Sequence, residues 1–291
     1  MNLAVSHDEP SSALDAASLR TTVIRPTSGW AALNLPEVWQ YRDLLLTLAM
    51  RDVKLRYRQT ALGVIWVILQ PLIAAAIFSF VSKIGHFSTD GVSPFMFTYA
   101  GMLGWNAFAS TLTKSSMCLV GNSQLVSKIY FPRLVLPLST VFSTLIDFGV
   151  GLSVMIVLMP LNHASPSLLA LVTLPFWLLM LVFLAMGIGL FAAALTVTYR
   201  DIQYILPVFT QFFLFASPVF YSATSIHSHN LQFAYYLNPI SGLLQGFRWS
   251  LLGAGSVSPI AVLYSVVFVA AAFILGVVGF RNMERGFADV I

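Results

Sequence analysis

The chain has 291 residues, 58% of them hydrophobic and only 9% charged, against roughly 25% charged residues in a typical soluble domain. This composition excludes an ordinary soluble globular protein and makes lipid the solvent. The net charge of +4 is no argument for nucleic acid, because in a membrane protein the placement of basic residues matters more than their sum.

Residues 1–33 are polar and small, with Asp8, Glu9, Asp15, Arg20 and Arg25 scattered through them. They show no apolar core of a secretory leader and read as a disordered cytoplasmic tail. Residues 34–60 place Val38, Tyr41, Leu45 and Leu48 at helical spacing and crowd Arg51, Asp52, Lys54, Arg56 and Arg58 toward the end next to the membrane. The pattern predicts an amphipathic interfacial helix whose basic side chains snorkel to lipid headgroups. The run from Arg51 to Arg58 is also the best anion-binding candidate. Orientation and headgroup contact account for it in part, and docking of a phosphate- or diphosphate-bearing lipid is physically compatible with both.

A bilayer core about 30 Å thick takes about 20 apolar residues of helix. Six segments meet that need, at 61–82, 94–113, 134–158, 168–197, 202–221 and 259–280, so the predicted fold is an all-α integral membrane domain over 61–283 with a short cytoplasmic tail, 284–291. Thirteen of the 15 Lys and Arg fall on one side of these spans, leaving Lys83 and Arg248 on the other. The positive-inside rule therefore puts both termini in the cytoplasm, in a cell inner membrane.

Asp147 is the one acid inside a predicted span. It serves either as a proton or cation site or as the partner of a neighbouring helix or interfacial Arg. Pro71, Pro207 and Pro218 interrupt the first and fifth spans and can kink them. Aromatic residues crowd the second and fifth spans, among them Phe95, Tyr99, Trp105, Phe108, Phe209, Phe212 and Phe213, with Trp66 in the first. Rings of this kind anchor helices at the interface or pack toward lipid, and they also suit a conduit for sugars, whose C–H faces stack on them. Residues 222–256 are too long and too apolar for a plain loop and are expected to dip back into the membrane as short re-entrant helices.

The chemistry that is missing narrows the function. The sequence contains no G-x-x-x-x-G-K-[ST], H-E-x-x-H, G-x-S-x-G or C-x-x-C, so no phosphate cradle or familiar catalytic motif is present and no catalytic residue is assigned. Cys118 is the sole cysteine, which excludes an intramolecular disulfide and a cysteine-based metal site. His227 and His229 are two residues apart with no third ligand in view and read as an exposed polar turn. Uphill transport would have to draw its energy from a partner or an ion gradient.

Several blocks resemble the permease subunits of type-2 ABC polysaccharide exporters. They are Tyr41-Arg-Asp-Leu-Leu through Arg51-Asp-Val-Lys-Leu-Arg-Tyr-Arg-Gln-Thr60, Leu62-Gly-Val-Ile-Trp66, Leu69-Gln-Pro71 and Leu125-Val-Ser-Lys-Ile-Tyr-Phe-Pro-Arg133 with Leu136-Pro137. Tyr199-Arg-Asp-Ile-Gln203, Ser217-Pro-Val-Phe-Tyr221, Leu237-Asn-Pro-Ile240 and Gly246-Phe-Arg248 continue the series in family order. The resemblance implies a homodimer bound to two separate ATPase subunits, with ATP and Mg on those partners and no cofactor on this chain. It implies lipid-linked polysaccharide as cargo, such as O-antigen, capsule or a teichoic-acid-like polymer. The lipid diphosphate would dock near Arg51, Lys54, Arg56 and Arg58, and the 121–133 connection would meet the ATPase through Gln124, Lys128, Tyr130 and Arg133. The interfacial helix would gate the conduit with that connection, and residues 222–250 would cap its outer end. A type-2 exporter of a small hydrophobic drug or lipid, and an ion-coupled carrier, are the competing classes.

Overall fold

Apolar runs punctuated by Pro, Gly, Ser and Asn set the helix boundaries in the computed structural model, which describes residues 35–58, 63–85, 87–162, 166–226, 228–253, 255, 257–284 and 287. The expectations for residues 1–33, for His227 and for most of the 284–291 tail lie outside the described residues. Among the described residues eleven α-helices follow in order: α1 Leu35–Gln40, α2 Arg42–Arg58, α3 Gly63–Gly85, α4 Pro94–Gly121, α5 Ser123–Lys128 and α6 Val135–Leu161, then α7 Leu168–Thr198, α8 Ile202–Ala216, α9 His229–Leu237, α10 Pro239–Leu252 and α11 Pro259–Glu284. No strand occurs among the described residues.

Four of these helices, α3 from Ile65 onward, α6, α7 and α11, are long and apolar enough to cross a membrane. The other two predicted spans differ for physical reasons. Helix α4 has 28 residues, about 42 Å at 1.5 Å per residue, but its second half is rich in Thr, Ser and Lys. Much of it is buried, and its hydroxyls are satisfied within the helix: Thr111 Oγ1 donates to the Ala107 carbonyl (2.8 Å) and Ser116 Oγ to that of Thr113 (2.8 Å). The predicted end at 113 was too early, because Lys114 and the polar turns after it continue the helix to Gly121. Helix α8 stops at Ala216, short of the predicted 221. Pro218 cannot donate a helical hydrogen bond and disfavours helical backbone in the residue before it, and Ser217 is accordingly extended (φ −98°, ψ 150°).

Lipid tails are as apolar as leucine, so helices in a bilayer associate through close packing and not through a hydrophobic drive. Helix α7 sits at the centre, packed against α4, α11 and α10, while α6 packs on α4 and carries α2. Gly187 on α7 and Gly276 on α11 let these two backbones touch. A Cβ added at Gly187 would stand 2.7 Å from the Ala272 carbonyl carbon, and one added at Gly276 would collide with the Gly187 backbone.

Two apolar clusters fill the bundle. One joins Val38 and Leu48 of the α1–α2 segment to Phe131, Leu134, Leu190, Val197 and Phe280. The other joins Tyr99, Phe108, Trp177, Phe220, Leu244 and Phe247 at the opposite end. In the second, the Leu237-Asn-Pro-Ile240 block is a helix start. Asn238 Oδ1 accepts from the Ile240 N–H (3.0 Å), Pro239 takes the first helical position, and Asn238 Nδ2 donates to Ser217 Oγ (3.1 Å). One asparagine thereby fixes α10 to the end of α8.

Replacing Gly187 or Gly276 with Val overpacks the α7–α11 contact and is expected to cost on the order of 1–3 kcal/mol. The thermal midpoint in detergent should fall for both variants. Gly149→Ala, whose added methyl meets nothing within 4 Å, should leave it unchanged, and equal midpoints in all three would refute the close approach.

Candidate functional site

Asp147 lies in the middle of α6, four residues after Ser143 and three after Thr144, so all three share one helix face. That face meets α2 on one side and α4 on the other. Arg56 Nη1 stands 2.6 Å from Asp147 Oδ2, and Lys114 Nζ stands 3.1 Å from the same oxygen. Lys114 also donates to Ser143 Oγ at 2.8 Å. The Asp147 side chain is 12% exposed, that of Lys114 25% and that of Arg56 41%. One carboxylate thus sits between two cations from two other helices, and the cluster carries a net charge of +1.

A second contact joins α2 to the turn after α4. Arg51 reaches Asp52 Oδ1 through Nε (3.1 Å) and Nη2 (2.9 Å), and the same Nη2 donates to Asn122 Oδ1 at 2.7 Å. Asn122 Nδ2 in turn donates to the Cys118 carbonyl (2.8 Å). Asn122 therefore closes the end of α4 with one side of its amide and receives α2 with the other. Further along, Arg133 Nη1 donates to the Glu284 carbonyl (2.7 Å), and its guanidinium lies 5.3 Å from the Phe287 ring centre.

The predicted site residues therefore separate into two groups. Arg51 and Arg56 are engaged by Asn122 and Asp147, Arg56 while still exposed, and Lys54 and Arg58 are exposed on α2. In the 121–133 segment Gln124, Lys128 and Tyr130 are exposed, while Arg133 is half-buried against the end of α11. Ile129, 56% exposed beside Tyr130, joins this ledge. Sequence reading did not single it out, because Leu125, Val126 and Phe131 of the same connection are apolar too and only the fold separates the exposed one from the rest.

Among the aromatic candidates, Tyr99, Trp105 and Phe108 are buried within the chain, and Tyr99 Oη donates to the Gly151 carbonyl (3.0 Å). Phe95 stacks on Tyr99, and Phe213 on Phe209. Trp66, Phe209 and Phe212 are exposed on α3 and α8. Lys114 is the functional residue most clearly missed. The spans as drawn from sequence left it in a connection, and only the folded chain shows it beneath Asp147.

At the other end of the bundle, α3, α8, α9 and α11 line an open cavity of about 940 Å³. Its wall includes Phe78, Phe213, Phe220, Tyr221, Tyr235 and Tyr264. Arg248 is buried, 3.9 Å from the Phe97 ring centre. Among the described residues, no group of three or more His, Cys, Asp or Glu could hold a metal ion.

The profile of the ABC-2 type transporter family matches residues 43–252, a span that holds α2, the ion cluster, the 121–133 segment and α10. Among individual proteins, the chain is 26% identical over 251 residues to the O-antigen export system permease protein RfbA of Klebsiella pneumoniae, covering 86% of this chain and 95% of the relative. It is 29% identical over 213 residues to the RfbA protein of Myxococcus xanthus, covering 73% and 81% respectively. It is 24% identical over 249 residues to the polysialic acid transport protein KpsM of Escherichia coli, covering 82% and 92%.

Removing the carboxylate leaves two cations facing each other. Full burial of a broken pair would cost about 3–5 kcal/mol, but Arg56 is 41% exposed, so Asp147→Asn is expected to cost about 1–3 kcal/mol. Lys114→Met in that background should restore part of the loss, giving a coupling of about 1 kcal/mol or more in a double-mutant cycle read by denaturation in detergent. Strictly additive effects would show that the three charges do not act as a unit.

Proposed function

The chain belongs to the ABC-2 type transporter family, and from that premise we propose that it is the membrane-channel subunit of an ATP-driven exporter of lipid-linked polysaccharide. The names of the relatives supply the cargo class. The observation that carries the mechanism is the double attachment of α2, to Asp147 through Arg56 and to Asn122 through Arg51.

In this reading the chain crosses the inner membrane six times through α3, α4, α6, α7, α8 and α11, with both ends in the cytoplasm. Helix α2 lies in the cytoplasmic interface, and α9 and α10 re-enter from the outer side. ATP and Mg bind to two partner subunits. Those partners engage the exposed ledge of Gln124, Lys128, Ile129 and Tyr130. Because Asn122 stands at the base of that ledge and holds Arg51, a displacement of the 121–133 segment pulls on α2. The work comes from the difference in ATP affinity between the partners' two states, since a ligand shifts an equilibrium only by such a difference.

Lys54 and Arg58 are the free faces of α2 that receive the cargo's diphosphate, while Arg51 and Arg56 hold the helix in place. Helix α8 buries only Thr210, and just 17% of the apolar window of α3 is buried. Two long apolar surfaces are thus left for lipid and for a second copy of the chain. Trp66, Phe209 and Phe212 stand on those surfaces, and the conduit forms where two copies bring them together. A carrier driven by an ion gradient fits less well, because Asp147 already holds two cations in this structure.

Affinity purification of the tagged chain from its native membranes, followed by mass spectrometry and an ATPase assay, tests the central claim. A stoichiometric P-loop partner with ATPase activity is expected, and a stable complex without one would overturn it. Lys54→Gln with Arg58→Gln should reduce export of the glycan at least tenfold with the partner retained. Tyr130→Ala with Lys128→Glu should instead lose the partner.

A further inference from the structure

Arg248 is a buried cation met by a ring face and, at a distance, by a carboxylate. Its side chain is 4% exposed, and its Nη1 has no hydrogen-bond partner among the described residues. The Phe97 ring meets the flat face of the guanidinium, but the N–H donors point outward in the plane of the group, where a ring on its face cannot satisfy them. No ion pair involves it among the described residues. The acid within its electrostatic reach, Asp90, is taken by the hydroxyls of Ser222 (2.7 Å) and Thr224 (3.0 Å).

A second orphan lies in the same place. Tyr235 is 5% exposed, and its hydroxyl also has no partner among the described residues. Tyr235 and Tyr221 pack with ring centres 6.3 Å apart, both line the 940 Å³ cavity, and both lie within reach of the Arg248 charge. Buried donors without partners are costly, and a buried charge without one is costlier still. Two such donors beside a large apolar cavity describe a ligand with an anionic end and an apolar body.

We propose that Arg248 and Tyr235 form an oxyanion site for a lipid phosphate, with the lipid's hydrocarbon lodged in the aromatic cavity beside it. A guanidinium offers the forked donors that phosphate oxygens accept, and the phenol adds a further donor. Tyr221, Tyr235, Tyr236 and Tyr264 gather at this end of the bundle, and tyrosines of this kind mark headgroup depth in membrane proteins. Both donor atoms are closed to solvent in this conformation, so the half-buried Tyr221 ring turns to admit the phosphate. The site goes beyond the export reading and does not require it, because either a bilayer phospholipid or the diphosphate of a polyprenyl carrier supplies the same chemistry.

The test uses the full chain, purified with its partners, delipidated and reconstituted in phosphatidylcholine nanodiscs. Phosphatidylglycerol and farnesyl diphosphate are added as separate probes, and retention is read by native mass spectrometry after detergent release. Arg248→Met keeps the volume and removes the charge, a change that leaves a fold neutral or more stable where a buried charge lacks a partner. At least tenfold weaker retention is expected for Arg248→Met and several-fold weaker for Tyr235→Phe, with thermal midpoints at or above that of the parent. Preference for phosphatidylglycerol would identify a bilayer lipid as the occupant, and preference for farnesyl diphosphate a polyprenyl carrier. Equal retention by parent and both variants, or no retention of either probe by the parent, would overturn the site and leave buried water as the partner of both donors.

Discussion

A carboxylate placed mid-way along an apolar helix cannot face lipid, and the way this chain resolves that constraint organises the half of the bundle that carries α2. Asp147 turns toward the bundle and takes a cation from each of two other helices on a single oxygen, Arg56 at 2.6 Å and Lys114 at 3.1 Å. Each cation settles a further question. Lys114 would be an expense on α4 without the acid, and its own hydrogen bond to Ser143 fixes the approach of α4 and α6. Arg56 would otherwise point to headgroups with its neighbours on α2. Drawn to Asp147, it fastens α2 to α6, and the rest of α2 follows it.

That fastening divides the basic run into residues that hold and residues that remain available. A single helix carries both. Arg51 and Arg56 are five residues apart, on faces about 140° from each other, and they reach Asn122 and Asp147 respectively. Lys54 and Arg58 follow Arg51 at i+3 and i+7, on its side of the helix, and stay exposed. A positively charged helix held at two points is tied to both of them. Asn122 belongs to the turn that leads into the exposed ledge, so that turn links the ledge to α2.

Much of this was legible in the sequence, and the parts that were not share a cause. The helical segments lie close to where apolar length placed them, although the helix predicted over 34–60 is two, α1 with Val38 buried and α2 with Leu48 buried. Asp147 stood out as a lone acid requiring a partner. Its partners could not be read, because the nearest in sequence, Lys114, is 33 residues away and falls in a polar stretch that hydropathy ends too soon. The same limit governed the aromatics. Composition places Tyr99, Trp105 and Phe108 beside Phe209 and Phe212 as equal candidates, and only packing shows that the first three fill the chain's own core. Arg248 shows the problem most sharply. As one of the two basic residues counted on the outer side it looked like a minor exception to a charge rule, whereas the fold buries it against the Phe97 ring.

The two ends of the molecule treat charge in opposite ways. At the α2 end Arg56 keeps 41% of its side chain exposed even with Asp147 in hand, so an anion arriving there meets a charge that is already hydrated. At the other end Arg248 is 4% exposed and lies against the Phe97 ring, where the low dielectric strengthens any interaction with an oxyanion. The same burial sets a cost, because a phosphate must give up its water to enter. An anion beside α2 therefore exchanges readily with solvent, whereas one beside Arg248 is held only where the guanidinium offsets that loss.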